Sequence, residues 1–129
     1  MTLFKIALLT KGNAVPEFEL QCDEQVIYQF DTPSAQGYVL GRSDENSDFL
    51  PDVDLANYSA RDRGVSRRHV AFVRYLGRLN IIDLNSVNGT FLNGSRILSD
   101  NPHPVSAGDE IRVGTLTLKV VRVQPQSSL

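Results

Sequence analysis

Residues 69–98 read HVAFVRYLGRLNIIDLNSVNGTFLNGSRIL, and their rhythm decides the fold. Short apolar runs, His69–Tyr75, Arg78–Asp83 and Thr90–Leu92, alternate with polar residues at the two-residue period of half-buried strands. Asn93-Gly94 falls between Leu92 and Ser95, where a two-residue hairpin turn fits, because both residue types tolerate positive φ. Asn88-Gly89 is a second pair of that kind. Working outward, the same pattern predicts strands at Leu3–Leu9, Glu17–Gln21, Gln25–Phe30, Tyr38–Gly41, Arg96–Leu98, Glu110–Val113 and Leu116–Val123. Gly114-Thr115 signals another hairpin between the last two. No stretch sustains the helical period over three turns, so the expectation is an all-β sandwich.

A chain of 129 residues suits one domain. With 41% apolar and 22% charged residues it lies in the globular range, so it can bury a core. The expected unit is a single domain over residues 1–123, followed by a polar tail, Gln124–Leu129, that frays or begins a linker. One cysteine, Cys22, excludes an internal disulfide, and with two histidines it falls short of a four-ligand zinc site. No metal or cofactor is expected. Neither a secretory signal nor a run of about 18 apolar residues is visible, so the reading is a soluble, cytoplasmic protein without a membrane partner. A net charge of −2 and the lack of an aromatic stacking stripe argue against nucleic acid.

The distribution of charge is more informative than its sum. Five acids (Asp44, Glu45, Asp48, Asp52, Asp54) follow one another without a base, whereas Arg61 to Arg78 holds six arginines against Asp62 alone. Both lie in or beside a 23-residue connection, Ser43–Val65, which is long for a compact domain and holds a brief strand candidate at Val53–Leu55. Its opening imitates a calcium loop, but Phe49 stands where a glycine is needed and Leu55 where a bidentate Glu is needed. Glycine-rich nucleotide loops are absent. A nucleophile–base pair of Ser66 and His69 is disfavoured, because residues three apart on a strand diverge and no acid is placed to orient the imidazole. No catalysis is expected.

What does combine is Gly41-Arg42, Ser66-Arg67-Arg68-His69 and Asn88-Gly89-Thr90, each at the end of a strand-like run. A phosphate monoester carries about −1.5 to −2 charge and three acceptor oxygens, and is matched by guanidinium forks and a hydroxyl. Arg42, Ser66 and Arg67 supply those donors, while the Asn88 amide has the donor and acceptor needed to hold an extended main chain.

These motifs, with Phe91-Leu92-Asn93-Gly94 and the closing Gly108-Asp109-Glu110-Ile111-Arg112-Val113-Gly114, resemble the forkhead-associated (FHA) domain from about Gly37 to Val123. The resemblance implies a β-sandwich of two antiparallel-type sheets and about eleven strands, with residues 1–36 supplying the first ones and binding loops at one end. It also implies phosphothreonine-peptide recognition, with the phosphate on Arg42, Ser66 and Arg67 and the peptide main chain on Asn88. Gly41, His69, Gly89 and Asn93 would serve the architecture of the site, and Arg68, Val87 and Gly64 its periphery. The implied partner is a Thr-phosphorylated segment of another protein or of the same chain, marked by an upstream Ser/Thr kinase.

Bland readings stand beside these: Arg42 pairs with Asp44 or Asp62, Arg68 is a solvated strand-edge charge, and Asn88 serves only its turn. Two departures bear on function. Val87 takes a position that often carries a hydroxyl in the family, and the acidic loop is expected to hang beside the phosphate site and favour basic peptides. The alternative is a scaffold or assembly domain that binds protein without phosphate.

Overall fold

The computed structural model describes residues 15–34 and 36–123. Eleven strands follow one another: β1 (Phe18–Cys22), β2 (Gln25–Phe30), β3 (Tyr38–Gly41), β4 (Val53–Asp54), β5 (Arg68–Tyr75), β6 (Arg78–Asp83), β7 (Thr90–Leu92), β8 (Ser95–Arg96), β9 (His103–Pro104), β10 (Glu110–Val113) and β11 (Leu116–Arg122). They form a six-stranded sheet in the order β2-β1-β11-β10-β7-β8 and a five-stranded sheet in the order β4-β3-β5-β6-β9. Strand pairing is antiparallel except for β3 with β4. Among the described residues, one turn of 3₁₀ helix, Ala56–Tyr58, is the sole helical element, and no helix is long and apolar enough to cross a membrane.

The core follows from the alternation. Phe18, Leu20 and Cys22 on β1 and Leu116, Leu118 and Val120 on β11 point inward at every second position. They join Ile111 and Val113 of β10, and Leu40, Val70, Phe72, Leu79 and Ile81 of the second sheet, in one apolar cluster. Each fully buried Leu, Ile or Phe contributes about 1.5–3 kcal/mol. The Asn93-Gly94 hairpin forms as expected, with φ of 50° and 88° at its two residues and Leu92 opposite Ser95. Gly114-Thr115 likewise joins β10 to β11, with Val113 opposite Leu116.

Beyond one-residue shifts at the ends of β1, β4, β5 and β11, the structure departs from expectation in three places. The strand expected at Arg96–Leu98 is Ser95–Arg96, because its partner β7 begins at Thr90: the Ile97 N–H still reaches Thr90 O at 3.0 Å, but nothing remains to pair Leu98, which is exposed. β9 was invisible to the pattern, since two residues, one of them a proline, show no alternation, and its place at a sheet edge suits that proline. In the Asn88-Gly89 pair only Gly89 takes positive φ, at 85°. The strand expected at Leu3–Leu9 and the tail Gln124–Leu129 lie outside the described residues.

Candidate functional site

β3 ends at Gly41, β5 begins at Arg68, β6 ends at Asp83 and β7 begins at Thr90, so four loop attachments meet at one end of the sandwich. Gly41 is there for steric reasons. The β3–β5 register shifts between Leu40 and Gly41, and a Cβ on Gly41 would stand 1.9 Å from Arg67 O. This close approach carries the chain directly into Arg42, whose N–H donates to that same Arg67 carbonyl at 3.2 Å.

Arg42 and Ser66, 24 positions apart in sequence, line one depression together with Ser47, Phe49, Arg67, Arg68, Asn85 and Val87. Arg42 is partly engaged already: Nε donates to Val65 O at 2.7 Å, and Nη1 meets Asp44 Oδ2 at 3.3 Å. Nη2 makes no hydrogen bond among the described residues. Ser66 Oγ accepts the Val87 N–H at 3.0 Å, which leaves its own proton available for a ligand oxygen. Arg67 and Arg68 are exposed, and the Arg68 guanidinium lies 4.6 Å over the Phe49 ring. Arg68 is thus the solvated charge expected at the start of its strand, with Phe49 packed against it. The arrangement offers a hydroxyl and three guanidinium groups on one concavity, a donor set suited to an oxyanion.

His69 holds the neighbouring loops together. Its ring is fully buried; Nδ1 accepts the Ser66 N–H at 3.0 Å and Nε2 lies 2.9 Å from Gly89 O. Those partners assign a neutral ring with the proton on Nε2. Burial lowers the His69 pKa below the usual histidine value, against the opposing influence of the Gly89 carbonyl and the Asp83 charge. The imidazole bonds the Ser66 main chain rather than Oγ, so the pair makes no nucleophile–base arrangement.

Asn88 does not line the depression. It stands beside it, exposed, with Nδ2 donating to Gly64 O at 2.9 Å, and its side-chain carbonyl accepts no hydrogen bond among the described residues. A Cβ on Gly64 would come within 2.7 Å of that Nδ2, so the glycine makes the bridge possible. Asn93 belongs elsewhere: it turns the β7–β8 hairpin, donates to Asp109 Oδ1 at 3.1 Å and accepts from the Glu110 N–H at 2.9 Å. Val87 is 83% exposed, so it gives the depression an apolar wall and no polar contact.

Two features escaped the sequence. Ser47 and Phe49 reach the depression from the long connection and Asn85 from the six-residue one after β6, where no periodicity marks direction. The second is Asp83, 2% exposed, which accepts the hydroxyls of Ser86 (2.5 Å), Thr90 (2.6 Å) and Ser99 (2.6 Å) and the Ser86 N–H (3.2 Å). Burial works to raise its pKa, but these donors outweigh it and hold the carboxyl below the ordinary value. The acidic loop also differs from expectation. Asp52 accepts from Val39 N–H, Asp54 from Ser43 and Ala56 N–H, and Asp44 from Asn46 N–H and Arg42. Three of the five carboxylates between Asp44 and Asp54 therefore shape the loop rather than project freely from it.

The family model described as FHA domain matches residues 38–114, more than half of the chain. An oxoglutarate dehydrogenase inhibitor of Corynebacterium diphtheriae is 36% identical over 78 residues, covering 60% of this chain and 46% of that protein. The human nuclear inhibitor of protein phosphatase 1 is 32% identical over 82 residues, covering 61% of this chain and 23% of its own. The chain thus spans less than half the length of these relatives. Among solved structures, an FHA domain studied for phosphothreonine-dependent interactions superimposes with a TM-score of 0.61 at 26% identity, covering 85% of this chain and 99% of its own. The N-terminal FHA domain of S. cerevisiae Rad53p, in complex with a phosphothreonine peptide, gives 0.60 at 25% identity, covering 83% and 94% respectively.

Proposed function

Because the chain belongs to the FHA-domain family, we propose that it is a non-catalytic receptor for Thr-phosphorylated protein segments, whether in a partner or in its own chain. The observation that carries this reading is the meeting of Arg42 and Ser66 on one concavity with Arg67. The phosphate accepts from the free Nη2 edge of Arg42, from the Ser66 hydroxyl and from Arg67, while the Asn88 amide holds the peptide main chain alongside. A Ser/Thr kinase creates this ligand and a phosphatase removes it, which suits regulation, as do relatives named as inhibitors. A few charge-assisted bonds give reversible binding, on the order of micromolar, or about −8 kcal/mol.

Fluorescence anisotropy with a phosphothreonine peptide library tests it. Arg42→Lys keeps the charge but loses the fork, and is expected to weaken binding about tenfold or more, since a hydrogen bond to a charged group contributes about 1.5–3 kcal/mol. Undiminished binding by a variant that melts as the wild type does would refute the assignment. The exposed Val87, which lines the same depression as Phe49, favours a second reading, a phosphate-independent protein contact on the same loops. Phosphatase treatment of captured partners separates the two, because only the first loses them.

A further inference from the structure

Contacts that begin at Asn88 lead away from the depression to a second group of arginines, none of which lines it. Gly64, which accepts the Asn88 amide, packs against Gly114, where a Cβ on Gly64 would meet Gly114 Cα at 3.7 Å. Arg112 Nη1 donates to Gly114 O at 2.9 Å, and its guanidinium lies 3.9 Å over the Phe91 ring. Arg96 reaches the same ring at 6.0 Å and lies against the backbone of Gly89, where an added Cβ would fall 2.6 Å from Arg96 Nε. Arg63 completes the group, bonding Thr115 Oγ1 and Thr115 O at 3.2 Å each.

Arg96 thus borders Gly89, Arg112 and Arg63 bond Gly114 and Thr115 on the other side of Gly64, and none of the three meets a carboxylate. Among the described residues the ion pairs are Arg42–Asp44 and Arg122–Glu17. Glu110 shares the β10 face with Arg112 but stands across from Lys119 in the strand register. Packing on Phe91 at 3.9 Å and the bond to Gly114 O hold the Arg112 guanidinium, so less side-chain freedom is lost when its outer N–H groups take an anion.

We infer that Arg96 and Arg112, with Arg63, form a second surface that takes carboxylate side chains of the bound segment where it runs past Asn88. The protein then selects phosphothreonine segments that are acidic on that side. This rests on the phosphopeptide reading and adds to it a preference that the acidic loop on the Arg42 side would not provide.

Three phosphothreonine peptides test it by anisotropy: one flanked by Gln on both sides, one with three Glu before the phosphothreonine and one with three Glu after it. One of the two Glu peptides is expected to bind about three- to tenfold more tightly than the Gln peptide, the size expected of a few exposed ion pairs. In the Arg96→Gln/Arg112→Gln protein that gain disappears while affinity for the Gln peptide is unchanged. Arg96→Gln alone, at an exposed side chain with no hydrogen bond to lose, removes part of the gain and guards against misfolding of the double variant. If neither Glu peptide gains, or the gain survives both variants, the arginine surface is refuted while binding of the Gln peptide still upholds the phosphate site. If the wild type ignores phosphorylation of the Gln peptide, the phosphopeptide reading fails and this surface falls with it.

Discussion

The two loops that face each other across the depression are held by different means. Residues 84–89 hang from buried groups, with Asp83 gathering three hydroxyls and His69 bridging Ser66 to Gly89. The Ser43–Val65 loop is shaped by carboxylates nearer the surface, Asp44, Asp52 and Asp54, which accept main-chain N–H groups from Asn46, from Val39 on β3, and from Ser43 and Ala56 respectively. Hydrogen bonds inside a low-dielectric interior are strong, and leaving one unmade there is costly; the same bonds at the surface compete with water. The rim that carries Val87 and Asn88 should therefore be rigid, and the rim that carries Asp44 and Phe49 adjustable.

Asp83→Ala breaks the first rim most severely. It strands the Ser86, Thr90 and Ser99 hydroxyls and removes the anchor of residues 84–89, at an expected cost of about 3–5 kcal/mol in urea or thermal unfolding. Asp83→Asn keeps an acceptor and should lose less. A loss below about 1 kcal/mol for Asp83→Ala would show that the hydroxyls find water instead, and that the contrast between the rims is false.

Acid should act on the buried rim next. The folded-state pKa of His69 is lowered, so between that value and the usual histidine value of about 6.5 the unfolded chain binds more protons, and stability rises with pH. The His69 contribution is thus complete above about pH 6.5 and is lost as pH falls through the folded value. Asp83, also lowered, adds a second loss at more acid pH, below the ordinary aspartate value of about 3.9. Urea midpoints measured from pH 7.5 to 5 should fall for the wild type and flatten in His69→Phe, although that variant starts less stable because it leaves the Ser66 N–H and Gly89 O unpaired. Equal slopes in the two proteins would remove His69 as the source.

How much of this was legible depended on whether a residue's neighbours in sequence are also its neighbours in space. The apolar runs and the turn residues around them located β2, β3, β6, β7 and β10 to the residue. Of these only β10 alternates cleanly between buried and more exposed positions, while the alternating β1 and β11 differ from expectation by a residue at their ends. The Asn93-Gly94 and Gly114-Thr115 turns were readable because their φ demands restrict the residue types. At the loop end, residue chemistry nominated Arg42, Ser66 and Arg67, and the fold brings them to one concavity. The Asp83 cluster stayed hidden, since its partners at Ser86, Thr90 and Ser99 have no common spacing and come together through the turn after β6 and the return of the chain beyond β8. The acidic run misled for a related reason: charge is visible in a sequence, but the N–H groups that Asp52 and Asp54 accept from are not.

The smallest expected effect sharpens the contrast from the other side. Asp54 Oδ1 accepts from both Ser43 and Ala56, tying the start of the long loop to its single 3₁₀ turn. Burial opposes ionisation of Asp54, but bonds from Ser43 and Ala56 prevail and its pKa is lowered, so its contribution is present above about pH 3.9 and fades as acid protonates it. Because the residue is exposed, Asp54→Ala should cost about 1 kcal/mol or less in urea unfolding, comparable with loss of an exposed cap. Its effect on phosphopeptide affinity is expected to exceed its effect on stability, because the loop it steadies carries Asp44, which sets the position of the Arg42 guanidinium. A variant that loses stability as Asp83→Ala does would place both rims in one cooperative unit and end the distinction drawn between them.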